Sequence, residues 1–93
     1  MNYNLAFEKH ALKEWKRLGY PVREQFKKKL AKRLENPHVK YAQLTGHRYR
    51  YKIKLKSSGY RLVYEVNDGQ LLVLVIAVGK RADNEVYHLA NQR

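Results

Sequence analysis

The stretch RYRYKIKLK, residues 48–56, alternates basic and apolar residues without interruption. This period of two is typical of a β-strand with one buried and one exposed face. Packing the apolar residues against a core would hold the cations in a rigid row on the other face. The apolar residues are Tyr49, Tyr51, Ile53 and Leu55, and the cations are Arg48, Arg50, Lys52, Lys54 and Lys56. We interpret this row as one wall of a polyanion site, with a solvated edge strand that resists aggregation as the alternative.

The net charge indicates an anionic partner. The chain carries 20 Lys and Arg against 8 Asp and Glu, a formal charge of +12 over 93 residues. Such an excess repels itself unless it meets nucleic acid, an anionic membrane or an acidic protein. Nucleic acid is the partner that we favour.

Length and composition limit the architecture. A chain of 93 residues predicts a single domain, residues 1–93, with one modest core. No apolar run approaches the roughly 18 residues of a membrane span or forms a signal peptide, so we expect a cytoplasmic protein without membrane contact. The absence of cysteine excludes disulfides, thiolate nucleophiles and Cys-based zinc sites.

The first half of the chain predicts a helical hairpin after a short strand at residues 3–7. A first helix is expected over residues 8–18, with Gly19 as a left-handed stop; its apolar stripe is Ala11, Leu12, Trp15 and Leu18. A second helix should open near Pro21 and end at Asn36-Pro37; its stripe is Val22, Phe26, Leu30 and Leu34. The outer face of the second helix, with Lys27 and Lys28, is either solvated or docks on phosphate.

The second half of the chain predicts three more strands and a short helix. After an aperiodic loop over residues 37–47 and the basic strand, Ser57-Ser58-Gly59 turns the chain into a strand over residues 60–66. Asp68-Gly69 signals a two-residue hairpin. The continuous apolar run of residues 71–78 should lie centrally in the sheet, beside the first strand. Asp83 would cap a terminal helix. The expected fold is α+β: a four-stranded, mainly antiparallel sheet with the helical hairpin on one face.

Register brings a second arginine to the basic wall. Apolar faces must match, so Leu55 should lie opposite Tyr60, Ile53 opposite Leu62 and Tyr51 opposite Tyr64. This places Lys54 opposite Arg61 and predicts an ion pair between Arg50 and Glu65. Two neighbouring cations destabilise a sheet, which indicates a function for them. Because desolvation and nearby cations lower a lysine pKa, Lys52 and Lys54 are our candidates for lysines acting as bases.

The basic pair after the last strand has an uncertain phase. Strict alternation from Asp68-Gly69 puts Lys80 on the basic face, whereas a bulge at Gly79 would bring Arg81 there instead. Both alternatives stay open at the level of the sequence.

The residues suited to catalysis are Lys, Arg and Tyr. The histidines His10, His38, His47 and His88 are scattered, so we expect surface residues, no metal and no cofactor. Cations suit the charge that develops on a phosphodiester, and Tyr87, with Glu85 nearby, could stack on a base. In RNA the 2′-hydroxyl supplies the nucleophile, so cleavage needs a base, a cation and a donor for the leaving oxygen.

Five segments together resemble the RelE family of toxin–antitoxin toxins: ALKEW at residues 11–15, YKIKL at 51–55, SSGYRLVY at 57–64, VGKR at 78–81 and EVY at 85–87. The resemblance implies a ribosome-dependent endoribonuclease that cuts mRNA in the ribosomal A site by 2′-hydroxyl attack, inhibiting translation. It implies three partners: the 70S ribosome through its 16S rRNA, A-site mRNA, and a RelB-like antitoxin through which operator DNA is bound only indirectly.

The resemblance also implies roles for individual residues. Lys52 and Lys54 would act in base catalysis and phosphate contact, Arg61 in transition-state stabilisation, Arg81 as acid or phosphate contact, and Tyr87 in stacking. Additional RNA or rRNA contacts are expected from Arg48, Arg50, Lys56, Lys80, Lys27 and Lys28. Family members tend to have arginine where this chain has Thr45, which indicates a changed contact.

Two other functions remain open. A ParE-like inhibitor of DNA gyrase shares the fold but lacks the Lys, Arg and Tyr set. A non-catalytic RNA- or rRNA-binding module would need only the basic face and Tyr87.

Overall fold

The computed structural model describes residues 2–80 and 85–93 and has the predicted α+β architecture. Its four strands are β1 (Asn4–Phe7), β2 (Arg50–Leu55), β3 (Tyr60–Asn67) and β4 (Leu72–Lys80). Its three α-helices are α1 (Lys9–Lys16), α2 (Tyr20–Glu35) and α3 (Glu85–Asn91), and a 3₁₀ turn spans Lys40–Ala42. The predicted N-cap Asp83 lies outside the described residues.

One mixed sheet has the strand order β1-β4-β3-β2. The pairs β2–β3 and β3–β4 are antiparallel, whereas β1 runs parallel to β4. The continuously apolar β4 is central, as predicted, with β1 on one side and β3 on the other, and both of its faces are covered. In this order β2 is an edge strand.

The helical hairpin covers one face of the sheet and forms the main core. Ala11, Trp15, Phe26 and Leu30 pack there against apolar residues of β2, β3 and β4. Glu8 caps α1 by accepting from two backbone N–H groups, those of His10 and Ala11.

Two details of the hairpin differ from the prediction. Gly19 is extended (φ −63°, ψ 155°) and precedes α2, so it is no left-handed stop. α1 ends through its own last turn, where the Arg17 N–H bonds to carbonyls of that turn. Leu12, assigned to the apolar stripe, is 37% exposed. Ala11, Trp15 and Leu18 are buried, whereas Leu12 lies about 100° around the helix from Ala11.

The other face of the sheet carries a smaller core under α3. Val63 and Ala77 pack there with Val86 and Ala90 of the helix. A side chain at Gly79 would meet Val86 at 3.1 Å, so glycine permits this close approach.

The β3–β4 hairpin corrects two predictions. Its loop has four residues, 68–71, and the left-handed residue is Leu71 (φ 50°) rather than Gly69. Asn67 accepts the Gln70 N–H at 3.1 Å, a side-chain turn that the Asp-Gly signal did not indicate. The bulge falls at Ile76, because Val75 pairs with Tyr64 and Ala77 with Val63; it does not lie at Gly79.

None of the helices within residues 2–80 and 85–93 combines the length and apolar character needed to cross a bilayer.

Candidate functional site

The β2–β3 register predicted from the apolar faces is confirmed pair for pair. Lys54 lies opposite Arg61, and Arg50 lies opposite Glu65. Tyr51, Ile53 and Leu55 are buried under the hairpin, so Arg50, Lys52 and Lys54 project from the α3 face. Lys54 is exposed, and Arg61 is half-buried with its Nη1 donating to its neighbour's carbonyl, that of Tyr60, at 3.3 Å. Two cations thus face each other on neighbouring strands.

The rigid row is shorter than predicted. β2 begins at Arg50 and ends at Leu55, so Arg48 and Lys56 are exposed residues outside the strand. Tyr49, expected in the core, is 48% exposed for the same reason. Only three of the five predicted cations are fixed by strand geometry.

A cavity of about 340 Å³ separates Lys52 from α3. Besides Lys52 and Tyr87, it is lined by Leu44, Thr45, His47, His88 and Asn91. His47 Nε2 lies 2.8 Å from Asn91 Oδ1, which joins the loop before β2 to the helix. The structure therefore brings together a lysine of the basic wall, the predicted stacking tyrosine and Thr45. Sequence reasoning missed His47 and Asn91, because aperiodic loop residues carry no pattern that relates them.

Arg50 is engaged within the protein rather than open to a ligand. Its Nε donates to Glu65 Oε1 at 3.2 Å, which confirms the predicted ion pair. Its Nη1 donates to the carbonyl oxygen of Ala90 in α3. Only 13% of the side chain is exposed. As a direct contact to phosphate, Arg50 is therefore a poor candidate.

The C-terminal end of β2 and the basic face of α2 border a groove. Lys28 and Lys29 line it together with Lys54 and Lys56. Farther along, Arg33 Nη1 donates to the Lys52 carbonyl at 3.1 Å and to the Tyr64 hydroxyl at 3.0 Å. Arg33 is thus engaged within the protein, and it is the lysines of the groove that support phosphate docking for part of α2. Lys27, by contrast, pairs with Glu24 at 3.1 Å on the helix surface.

The end of β4 settles the phase of Lys80. After the bulge at Ile76, Gly79 pairs with Arg61 and Lys80 with Tyr60. Lys80 is exposed but lies on the hairpin side of the sheet, so the alternation is shifted by a bulge, as the second alternative required, although at Ile76 and not at Gly79. Arg81 lies outside the described residues.

His10, His38 and His47 contact protein groups. His10 contacts Glu8 at 2.7 Å, and His38 contacts Asp68 at 2.8 Å. In residues 2–80 and 85–93, His, Asp and Glu nowhere form a group of three that could hold a metal ion.

A polar network lies apart from the basic face, where the 3₁₀ loop meets the β3–β4 loop. Asp68 accepts from the Tyr3 hydroxyl at 2.6 Å and contacts His38 Nε2, whose Nδ1 lies 3.1 Å from the Tyr51 hydroxyl. The hydrogen bond from Tyr3 and then that from His38 lower the pKa of Asp68. Burial raises the pKa of the Tyr64 hydroxyl, which donates to the carbonyl of Pro37.

Comparison with known proteins gives a consistent result. Residues 5–85 match the family described as ParE toxin of type II toxin-antitoxin system, parDE. The mRNA interferase toxin RelE of Escherichia coli K12 is 55% identical over 93 residues, 100% of this chain and 98% of that protein.

Two solved structures support the same relationship. A free-state mutant of E. coli RelE superposes with a TM-score of 0.92 at 54% identity, covering 100% of this chain and 98% of that one. RelE in the intact E. coli RelBE toxin-antitoxin complex gives 0.83 at 55% identity, covering 86% and 98%.

Proposed function

The chain belongs to the family of type II toxin–antitoxin toxins that contains ParE and RelE, and from this premise we propose that it is a ribosome-dependent mRNA endoribonuclease. The substrate is mRNA in the ribosomal A site, and the consequence is inhibition of translation. The observation that carries the proposal is the pair Lys54 and Arg61, two cations fixed opposite each other beside a cavity that Lys52 shares with Tyr87.

The proposed reaction uses only RNA and side chains. A lysine, Lys52 or Lys54, takes the proton of the 2′-hydroxyl, and the 2′-oxygen attacks the adjacent phosphorus. The bond from phosphorus to the 5′-oxygen of the next nucleotide breaks, leaving a 2′,3′-cyclic phosphate. The 5′-oxygen that leaves receives a proton, for which Arg81 is a candidate donor. Arg61 stabilises the charge on the phosphate oxygens.

Tyr87 completes the site as a platform for a base. Aromatic stacking on an unpaired base contributes about 1–3 kcal/mol and holds the nucleotide so that its 2′-hydroxyl can align with the phosphate. Further backbone contacts come from Lys28 and Lys56 along the β2 edge, and from exposed Arg48.

Dependence on the ribosome follows from the form of the site. Lys54 of the basic face is exposed on the edge strand β2, so we expect the ribosome to supply the alignment of the RNA. Positioning by the ribosome can contribute roughly 7–11 kcal/mol to lowering a barrier. Primer extension on a translated message should show discrete stops at A-site codons, with far slower cutting of naked RNA. Equal cutting of naked mRNA would contradict the dependence.

The partners follow from the relatives, whose solved complexes contain RelB. We propose an acidic or amphipathic RelB-like antitoxin that quenches the +12 surface and carries the complex to operator DNA as a transcriptional repressor. Translation occurs in the cytoplasm, which is therefore the proposed location of this single-domain toxin. Co-expression with an antitoxin of this kind should yield a complex that no longer cuts mRNA.

The matching family is described by its member ParE, so inhibition of DNA gyrase is the alternative to exclude. The same preparation that cuts A-site mRNA should leave gyrase supercoiling unchanged. Supercoiling inhibited at nanomolar protein with no mRNA stops would overturn the proposal.

A further inference from the structure

Arg50 joins the sheet to the end of α3. Its Nε holds Glu65 Oε1 at 3.2 Å on the neighbouring strand, while its Nη1 donates to the Ala90 carbonyl oxygen one residue before the helix ends. The side chain is 13% exposed, against 40% for Glu65. The sheet end of this bridge has a fixed register, since Arg50 and Glu65 are paired residues of β2 and β3.

The chemistry of the bridge suits a helix C-terminus. The last carbonyls of a helix lack partners within the helix and carry partial negative charge. A guanidinium satisfies one of them while its other edge holds a carboxylate, a fork that a lysine ammonium cannot reproduce in two directions. Glu65 in turn balances the charge of an arginine that is largely removed from water.

α3 depends on such contacts because it has only seven residues. An isolated helix of this length is not stable in water. Val86 and Ala90 bury its apolar side, and just beyond it Arg93 makes two hydrogen bonds of 2.9 Å to Glu14 and one to the Ile76 carbonyl. Arg93 therefore fixes the chain after the helix toward α1 and β4, whereas Arg50 fixes the helix itself toward β2 and β3.

Tyr87 lies one turn before Ala90, so a shift of the Ala90 carbonyl moves the tyrosine with it. Tyr87 and Lys52 line the same cavity, and Lys52 is two residues along the strand from Arg50. The hydrogen bonds of Arg50 to α3 therefore lie next to the cavity that Lys52 and Tyr87 line.

We propose that Arg50 is a positioning residue, which holds α3 so that Tyr87 stays over the basic face. It acts through the helix and does not contact RNA. The inference rests on the proposed function, because its catalytic effect is the placement of a base on Tyr87.

A double-mutant cycle on programmed ribosomes tests the catalytic effect. Arg50→Met should slow single-turnover cleavage on the order of 10²-fold, the loss typical of a misplacement of about 1 Å. In a Tyr87→Ala background the same change should cost less than about threefold, because the tyrosine that it positions is gone. Arg50→Lys should recover only part of the rate. Equal losses in both backgrounds would show direct contact with substrate and overturn the proposal, as would no loss in either.

Hydrogen exchange tests the anchoring without any activity. Amides at residues 89–91 should exchange at least about tenfold faster in Arg50→Met, since a hydrogen bond to a charged group is lost. Arg17→Met, an exposed arginine after α1, is the matched control and should leave their exchange within about twofold. Unchanged exchange in Arg50→Met refutes the anchor.

The two experiments separate the possible failures. Wild-type protein that cuts no message on ribosomes refutes the proposed function and, with it, the catalytic part of this inference. Exchange still decides whether Arg50 holds α3. Cleavage by wild type together with unchanged exchange in Arg50→Met refutes the positioning role alone.

Discussion

The two faces of the sheet are built from the same strands but differ in how completely they are covered. Under the hairpin, two helices of 8 and 16 residues bury a continuous apolar core that includes Trp15 and Phe26 and extends across three strands. On the other face, a seven-residue helix covers only the β3–β4 side and leaves Lys54 exposed beside Arg61. The alternation of β2 serves both: each apolar residue that it buries fixes the direction of a cation. Stability is concentrated on one face and the proposed chemistry on the other, so substitutions should separate them.

The largest effect is expected for Lys54→Ala. If this lysine acts as a base, cleavage should fall about 10²–10⁴-fold, the range for general acid–base catalysis. The melting temperature should change little because the side chain is exposed, and most ribosome binding should remain. Single-turnover cleavage, thermal melts and ribosome pelleting measure the three quantities.

Lys9→Ala is the control, because Lys9 is an exposed lysine of α1 on the hairpin side. It should cleave like wild type. A Lys54→Ala protein that cleaves within about threefold of wild type would remove this lysine from the mechanism. A protein that neither cleaves nor binds ribosomes would show a role in docking instead.

The hairpin face should respond in the opposite way. Leu30→Ala removes a fully buried side chain of α2 and should lower the free energy of unfolding by about 2–5 kcal/mol. Below its melting temperature, the folded variant should still cleave near the wild-type rate. Denaturant unfolding and single-turnover cleavage at low temperature are the measurements.

Leu12→Ala gives the matched control, the same change on a helix residue that is 37% exposed. Its cost should stay within about 0.5 kcal/mol, as for most surface substitutions. Similar losses at both positions would mean that Leu12 is buried in solution and that the hairpin packs differently.

Arg61→Ala sharpens the comparison on the catalytic face itself. Loss of a preorganised donor to a developing oxyanion costs on the order of 10²–10³ in rate. Stability should change by less than about 1 kcal/mol, because the substitution also removes a cation opposite Lys54. Arg61→Lys should recover part of the rate, since an ammonium keeps the charge without the planar fork. Normal melting with cleavage within about threefold of wild type would contradict a role at the phosphate.

Sequence reasoning succeeded where one face had to be buried. The β2–β3 register, and with it the meeting of Lys54 and Arg61, followed from matching apolar residues, because a slip by one would expose them all. It failed where the pattern carries no phase. The uniformly apolar β4 gives no sign of a bulge at Ile76, and so the sequence left the face of Lys80 open.

The contact of Arg50 with α3 could not be predicted from the sequence for a different reason. Its partner Glu65 could be predicted from register, whereas the Ala90 carbonyl lies 40 residues away and meets it only when α3 docks. The same holds for His47 and Asn91. Contacts made by docking of a helix leave no local pattern, and these are the contacts that shape the cavity beside Lys52.

The smallest effect concerns the polar network of the covered side, where Asp68 accepts from Tyr3 and contacts His38. The hydrogen bond from Tyr3, followed by that from His38, lowers the pKa of Asp68 in the folded protein. The unfolded state therefore binds the proton more readily, so the contribution of Asp68 to stability is complete above its ordinary pKa of about 3.9 and is lost as the pH falls through the lower folded value.

Thermal melts at pH 6 and pH 3 should show a larger difference in melting temperature between wild type and Asp68→Asn at pH 6. Tyr3→Phe keeps the carboxylate but removes the donor with the larger effect. In this background the effect of Asp68→Asn at pH 6 should be smaller than in wild type, but still present. Because Asp68 and its partners are exposed, the effect on stability should be small. Cleavage on the opposite face should be unaffected. A difference of equal size at both pH values would show that these hydrogen bonds do not favour the ionised carboxylate.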